Sequence, residues 1–171
     1  MTLQSKHFRR IQPYLLCIII CIIAQIASGL ITKPAINSWY YGLSKPTFTP
    51  PNWLFAPVWS VLYLMMGFAW GHINNGFSNY NMIKRANLLF VLQLIFNALW
   101  SIIYFGAHSI GYALIDIIFL WVALIFTTYQ FFKISKLAGW LLIPYLLWLS
   151  YAVVLNASIW HLNQYFLFFK K

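Results

Sequence analysis

The charged residues of this chain are clustered, and long apolar segments separate the clusters. Charge-free runs cover 11–32, 46–83, 86–115, 117–132 and 137–169. A helix that crosses the hydrocarbon core of a bilayer needs about 20 mostly apolar residues. The pattern therefore predicts an all-α integral membrane protein, a bundle of five transmembrane helices in one domain over residues 1–171. The predicted helices cover about 13–32, 53–73, 86–105, 110–132 and 139–162.

Composition supports a membrane protein and argues against a nucleic-acid partner. Charged residues make up 7% of the chain and hydrophobic residues 63%, whereas a soluble domain carries about 25% charge. The formal net charge is +10, but most of the basic residues flank the predicted spans, as interfacial anchors and topology signals do. The expected partner is the lipid bilayer. Isoleucine-rich and asparagine-rich usage favours a bacterial cell membrane.

Charge also predicts an orientation. The N-terminus and the 2–3 and 4–5 loops carry seven basic residues, and the opposite side carries four, so the positive-inside rule favours a cytoplasmic N-terminus. Helix 1 has a basic start and small residues at Ala27, Ser28 and Gly29, as a secretory signal peptide does. Its apolar run is longer than the usual 7–15 residues of such signals. We predict a retained helix, with a cleaved signal as the alternative.

The connection between helices 1 and 2, residues 33–52, is rich in proline and aromatic residues. Pro46, Pro50 and Pro51 fix φ and lack a backbone donor, so this part cannot form a regular helix or a central strand. We predict a stiff lid, the lid loop, beside helix 2. Such a segment suits a flat apolar ligand.

Helical spacing places several polar and aromatic side chains on inward faces. Asn97 shares a face with Trp100, and Asn156 shares one with Ala152 and Trp148. Small Ala152 beside large Trp148 leaves room for a ligand. A cavity with flat aromatic walls and a few amides would stack a planar macrocycle and orient its polar edge. The alternative is that the amides only join helices through hydrogen bonds.

Three motifs carry a family resemblance. The lid and the start of helix 2 contain W-Y-x-x-L-x-K-P-x-x-x-P-P-x-W-x-F-x-P-V-W-x-x-L-Y, from Trp39 to Tyr63. Helix 3 contains N-x-x-W-S-x-x-Y-F, from Asn97 to Phe105. Helix 5 contains P-Y-L-x-W-x-x-x-A-x-x-L-N-x-x-x-W-x-L-N, which begins at Pro144. With these motifs the chain resembles the TspO/MBR family, the tryptophan-rich sensory or translocator proteins.

The resemblance implies a receptor or sensor that binds porphyrins, such as protoporphyrin IX or haem, and similar flat apolar ligands in a pocket between the helices. It links that binding to tetrapyrrole transport or regulation, and it requires no resident cofactor. The implied binding residues are Tyr40, Lys45, Pro46, Trp59, Tyr63, Asn97, Trp100, Trp148, Ala152 and Asn156.

Two other classes of function stay open. Some bacterial relatives are described as degrading protoporphyrin under light and oxygen, and the resemblance then makes Trp59 and Trp148 the candidate catalytic residues. In the other class, the protein is a scaffold whose aromatic residues only anchor it in the bilayer. The lone acidic residue, Asp116, has no second carboxylate for acid–base work, so a structural role is favoured over a proton relay.

The remaining chemistry-bearing residues give weaker signals. The four histidines fall at or beyond the predicted helix ends, and the chain contains neither CxxCH nor HExxH, so no metal site is predicted. Cys17 and Cys21 lie four residues apart on helix 1, a poor disulfide geometry. Gly67 and Gly71 form a GxxxG motif, which indicates either helix packing or a homodimer.

Overall fold

The structure, a computed structural model, describes residues 3–76 and 79–168, with side chains for 11–76 and 79–164. Its five long helices confirm the predicted all-α fold, and the described residues contain no strand. Each of the five contains a segment long and apolar enough to cross a membrane. The helices are α1 Leu3–Ile36, α2 Asn52–Asn74, α3 Tyr80–Ser101, α4 Ile110–Ile134 and α5 Lys136–Phe168.

The first and last helices are longer than the apolar pattern predicts. α1 continues through Ile36, and α2 begins at Asn52. The lid loop therefore comprises 37–51 rather than 33–52, and it includes a short 3-10 turn, Tyr40–Gly42. Hydropathy marks only the part of a helix that lies in hydrocarbon, and a helix can continue into the polar interface without an apolar signal.

Short turns determine which helices are neighbours. The connections from α3 to α4 and from α4 to α5 are brief, so these pairs pack as antiparallel neighbours, and α2 also packs against α1 and α5. α1 is the most peripheral helix, and α4 is the most buried. Leu16, Ile19 and Ile23 on α1 are exposed in the bundle, which leaves an apolar face for lipid.

The GxxxG motif serves packing within the chain. A Cβ added to Gly67 would lie 2.6 Å from the Cα of Ile18, and one added to Gly71 would lie 2.6 Å from the Cα of Tyr14. Only glycine allows two helix backbones to approach this closely. Because α1 already covers this face, the GxxxG motif no longer supports a homodimer. The homodimer stays a prediction.

Buried hydrogen bonds join the helices in the interior. Tyr63 on α2 donates to Asn97 on α3, Asn97 donates to Tyr145 on α5, and Tyr145 donates to Gln93. Each pairing satisfies polar groups that hydrocarbon cannot satisfy. Asp116 is only 7% exposed, and its Oδ2 has no hydrogen-bond partner among the described residues.

Candidate binding cavity

A cavity of about 630 Å³ lies among α1, α2, α3, α5 and the turn Tyr40–Gly42. Small-molecule sites usually measure about 300–1,000 Å³ and are mostly apolar with a few polar groups. The cavity has the size and the lining of such a site. α4 packs behind α3 and α5 and contributes none of the described lining residues.

The structure brings most of the predicted binding residues together. Trp59 and Tyr63 reach the cavity from α2, and Tyr40 reaches it from the lid loop. Of the ten predicted residues, those that line the cavity are Tyr40, Trp59, Tyr63, Asn97, Trp100, Trp148, Ala152 and Asn156. They come from four separate segments of the chain, so the sequence motifs converge in space.

Lys45 and Pro46 are not among the lining residues. The ammonium of Lys45 lies 4.6 Å from the ring centroid of Tyr40 and donates to the carbonyls of Tyr41 and Leu43. The carbonyl of Pro46 accepts from both the amide and the hydroxyl of Thr49. Lys45 therefore braces the turn that carries Tyr40, whereas Pro46 stabilises the following turn of the lid loop. Desolvation by burial lowers the pKa of Lys45.

Indole rings form the walls toward α2 and α5. Trp59 lies 5.8 Å from Tyr63 and 6.0 Å from Tyr145, measured between ring centroids. Trp148 meets Phe55 edge-on at 6.1 Å. Aromatic neighbours at these distances pack favourably against one another, so each indole is supported by other rings.

The two candidate amides are already hydrogen-bonded within the protein. Asn97 accepts from Tyr63 and donates to Tyr145, at 2.5 and 2.6 Å. Asn156 accepts from the indole of Trp100 at 3.0 Å and donates to the carbonyl of Ile110 at 3.1 Å. Both amides line the cavity, but their polar atoms are engaged in joining helices. Their contact with a ligand's polar edge stays a prediction.

A π-helical turn, Ile102–Gly106, extends α3 and places two lining residues that the site prediction did not include. These are Tyr104 and Phe105. A π turn changes the rotation of the following side chains around the helix, and such turns are frequent at functional sites. Hydropathy cannot distinguish a π turn from an α turn. The motif N-x-x-W-S-x-x-Y-F contained both residues and was the available signal.

α1 supplies the other wall that the site prediction lacked. Gln25, Ser28, Gly29, Thr32 and Lys33 line the cavity. Gln25, Ser28 and Thr32 recur at the spacing of one helix face, and this periodicity was the signal in the sequence. The polar residues of α1 therefore face a cavity that lies between this helix and the rest of the bundle.

Two residues of α5 hold the lid loop over the cavity. The side chain of Asn163 accepts from the amide of Ser44 at 3.0 Å and donates to its carbonyl at 2.8 Å. The hydroxyl of Tyr151 donates to the carbonyl of Phe48 at 2.8 Å. Side chains of α5 therefore hold the main chain of the lid loop in place, in addition to the stiffness that its prolines provide.

Comparisons with known proteins identify relatives across most of the chain. Residues 17–161 match the TspO/MBR family. The tryptophan-rich protein TspO of Chlorobaculum tepidum is 41% identical over 91% of this chain and 98% of its own length. The protein of that name from Archaeoglobus fulgidus is 43% identical over 80% and 88%. The translocator protein of Sus scrofa is 38% identical over 74% and 75%.

Proposed function

Because the chain belongs to the TspO/MBR family, a family of multi-pass membrane proteins, we propose that it binds porphyrins and similar flat apolar ligands in the cavity. The ligand stacks against the indoles of Trp59 and Trp148, and the turn at Tyr40 closes the site. The binding serves the sensing, transport or regulation of tetrapyrroles.

The observation that carries this proposal is the composition of the cavity wall. Trp59, Trp100 and Trp148 all line one cavity of about 630 Å³, and the small side chain of Ala152 lies one turn from Trp148. Rigid aromatic faces around an open space favour a planar, largely apolar ligand. An anchoring role in the bilayer would need these indoles at the lipid interface rather than around a cavity.

The test is a titration of the purified protein in lipid nanodiscs with protoporphyrin IX and with haem. We expect saturable binding above the partition into empty nanodiscs. The matched control is Trp140→Ala, since Trp140 is 64% exposed, packs on Phe132 and lies outside the cavity lining. This variant should bind as the wild type does. Uptake equal to that of empty nanodiscs would favour the scaffold.

A porphyrin-degrading activity is the second candidate, and the placement of Trp59 and Trp148 in one cavity favours it over other enzyme classes. An indole in contact with a photoexcited macrocycle can pass it an electron. Illumination of the porphyrin complex with and without oxygen separates the two functions. Loss of the porphyrin only in aerobic light, abolished by Trp148→Phe, would indicate an enzyme. Equal loss in free solution would indicate a binding protein.

A further inference from the structure

The hydroxyl of Tyr104 is buried at the wall of the cavity. Tyr104 is 2% exposed and lines the cavity, and its hydroxyl oxygen forms no hydrogen bond with any described residue. Burying a hydroxyl without a hydrogen bond is unfavourable, and most buried polar groups in folded proteins have a partner. A donor without a hydrogen bond on the wall of a ligand-sized cavity indicates that a ligand supplies the acceptor.

The surroundings of Tyr104 supply ring faces and ring edges. Its ring stacks on Trp100, with centroids 5.0 Å apart and planes at 27°, and it meets Trp39 edge-on at 5.6 Å. Phe105 lies 4.8 Å away. These contacts pack the ring of Tyr104 on the π turn. Its hydroxyl is the part of the side chain that still lacks a hydrogen bond among the described residues.

The hydroxyl of Ser28 on α1 also lines the cavity without a hydrogen-bond partner among the described residues, but two polar side chains on the same helix as Tyr104 are engaged. The indole N–H of Trp100 donates to Asn156, and both polar atoms of Asn97 have protein partners. A ligand that offers an acceptor to these groups would compete with existing hydrogen bonds. An acceptor placed near Tyr104 could accept a hydrogen bond from its hydroxyl without breaking an existing hydrogen bond.

We propose that Tyr104 is the polar anchor of the cavity, and that its hydroxyl selects flat ligands with a hydrogen-bond acceptor at one edge, such as a ring nitrogen, a carbonyl or a carboxylate. The proposal rests on the cavity being a site for flat ligands, as proposed above. Any planar ring can stack against the indoles. A directional hydrogen-bond donor, in contrast, distinguishes ligands of the same shape by whether they carry an acceptor at the right edge.

The experiment uses two probes of the same shape. Acridine and anthracene differ by one ring nitrogen in place of a C–H group, and both accept energy from excited tryptophan. Their binding to wild-type protein and to Tyr104→Phe in nanodiscs is measured by that energy transfer, after subtraction of empty nanodiscs. Tyr104→Phe should weaken acridine binding about three- to tenfold, leave anthracene binding unchanged, and keep or raise the thermal midpoint of the unliganded protein.

The matched control is Tyr63→Phe, which removes a cavity hydroxyl that donates to Asn97. This variant should lower the thermal midpoint and affect both probes alike. Equal acridine affinity in wild type and Tyr104→Phe would overturn the proposal, and so would a large loss of stability in Tyr104→Phe or an absence of binding of both probes.

The probe pair also separates this inference from the proposed function. Acridine discrimination without porphyrin binding would contradict the porphyrin assignment alone. Porphyrin binding without acridine discrimination would contradict only the role of Tyr104.

Discussion

The two halves of the contact between α1 and α2 differ in how closely the helices approach. In one half, added Cβ atoms at Gly67 and Gly71 would collide with the backbone of α1. In the other half, a Cβ added to Gly29 would meet nothing within 4 Å, and Gly29 lines the cavity. Between the two halves, Gln25 donates to the hydroxyl of Ser60 at 2.7 Å.

The difference shows that glycine has opposite roles along one helix pair. Gly67 and Gly71 bring two backbones together, whereas Gly29 leaves space between them. The close half packs α1 firmly against α2. The two helices can therefore stay apart in the open half while α1 remains attached to the bundle. The polar contact of Gln25 with Ser60 marks the inner end of the cavity.

The largest effect is expected from Gly67→Ala. Its new methyl group would lie 2.6 Å from the Cα of Ile18, so the helices must separate, at a cost of about 1–3 kcal/mol in unfolding free energy. Thermal unfolding in detergent measures the loss. The control is Gly29→Ala, which should change stability by less than about 0.5 kcal/mol. Equal midpoints for the two variants would remove the distinction between the halves.

Filling the cavity from the side of α5 should weaken binding strongly without unfolding the protein. Ala152→Leu places a larger side chain in the space beside Trp148 and should weaken porphyrin affinity about tenfold or more, as should Trp148→Ala. Trp148→Phe keeps a stacking surface and should cost less. Tryptophan quenching against porphyrin concentration gives the affinities. If Ala152→Leu binds as wild type while Trp140→Ala does not, the site lies elsewhere.

Releasing the lid loop should have a moderate effect. Asn163→Ala removes both hydrogen bonds to the backbone of Ser44. Because Ser44 is exposed and water can replace the lost partner, this should cost only about 1 kcal/mol and should expose the loop. Limited proteolysis should then cut within 37–51, and porphyrin affinity should fall because binding must order the loop. Ser158→Ala is the control, since Ser158 donates only within its own helix, to Val154. An uncut loop in Asn163→Ala would assign its rigidity to the prolines and to the hydrogen bond from Tyr151 to Phe48.

The smallest effect is expected at the outer edge of the open half. Lys45→Gln removes the ammonium above the ring of the buried Tyr40, a contact worth about 0.5–1 kcal/mol where water still reaches the cation. Since Lys45 is outside the cavity lining, porphyrin affinity should fall less than in Ala152→Leu. A loss as large as that of Ala152→Leu would show that Lys45 contacts the ligand directly.

Helix number could be predicted from the local apolar pattern, and eight of the cavity's lining residues could be predicted from the family motifs together with helical spacing. Apolar length identifies a membrane span, and the spacing of Trp148, Ala152 and Asn156 identifies one face of a helix. The engagement of the amides could not be predicted. Spacing places Asn97 and Asn156 inward, but their partners come from other helices, and no local rule gives those distances.

Two further features depend on interactions that a sequence pattern does not contain. GxxxG at Gly67 and Gly71 indicates a close helix partner, but the partner, α1, is known only from the assembled bundle. The π turn that places Tyr104 is also invisible, since an inserted residue does not change the apolar character of the segment. Lys45 and Pro46 belong to the lid motif, yet neither lines the cavity.

The clamp between Asn163 and Ser44 joins residues that are 119 positions apart. During synthesis, the lid loop leaves the ribosome long before the segment that holds it. The loop therefore has no attachment at this point until α5 has been made and inserted. A chain that terminates before Asn163 could form the first four helices and still lack a closed cavity, so α5 completes a site whose other walls are made before it.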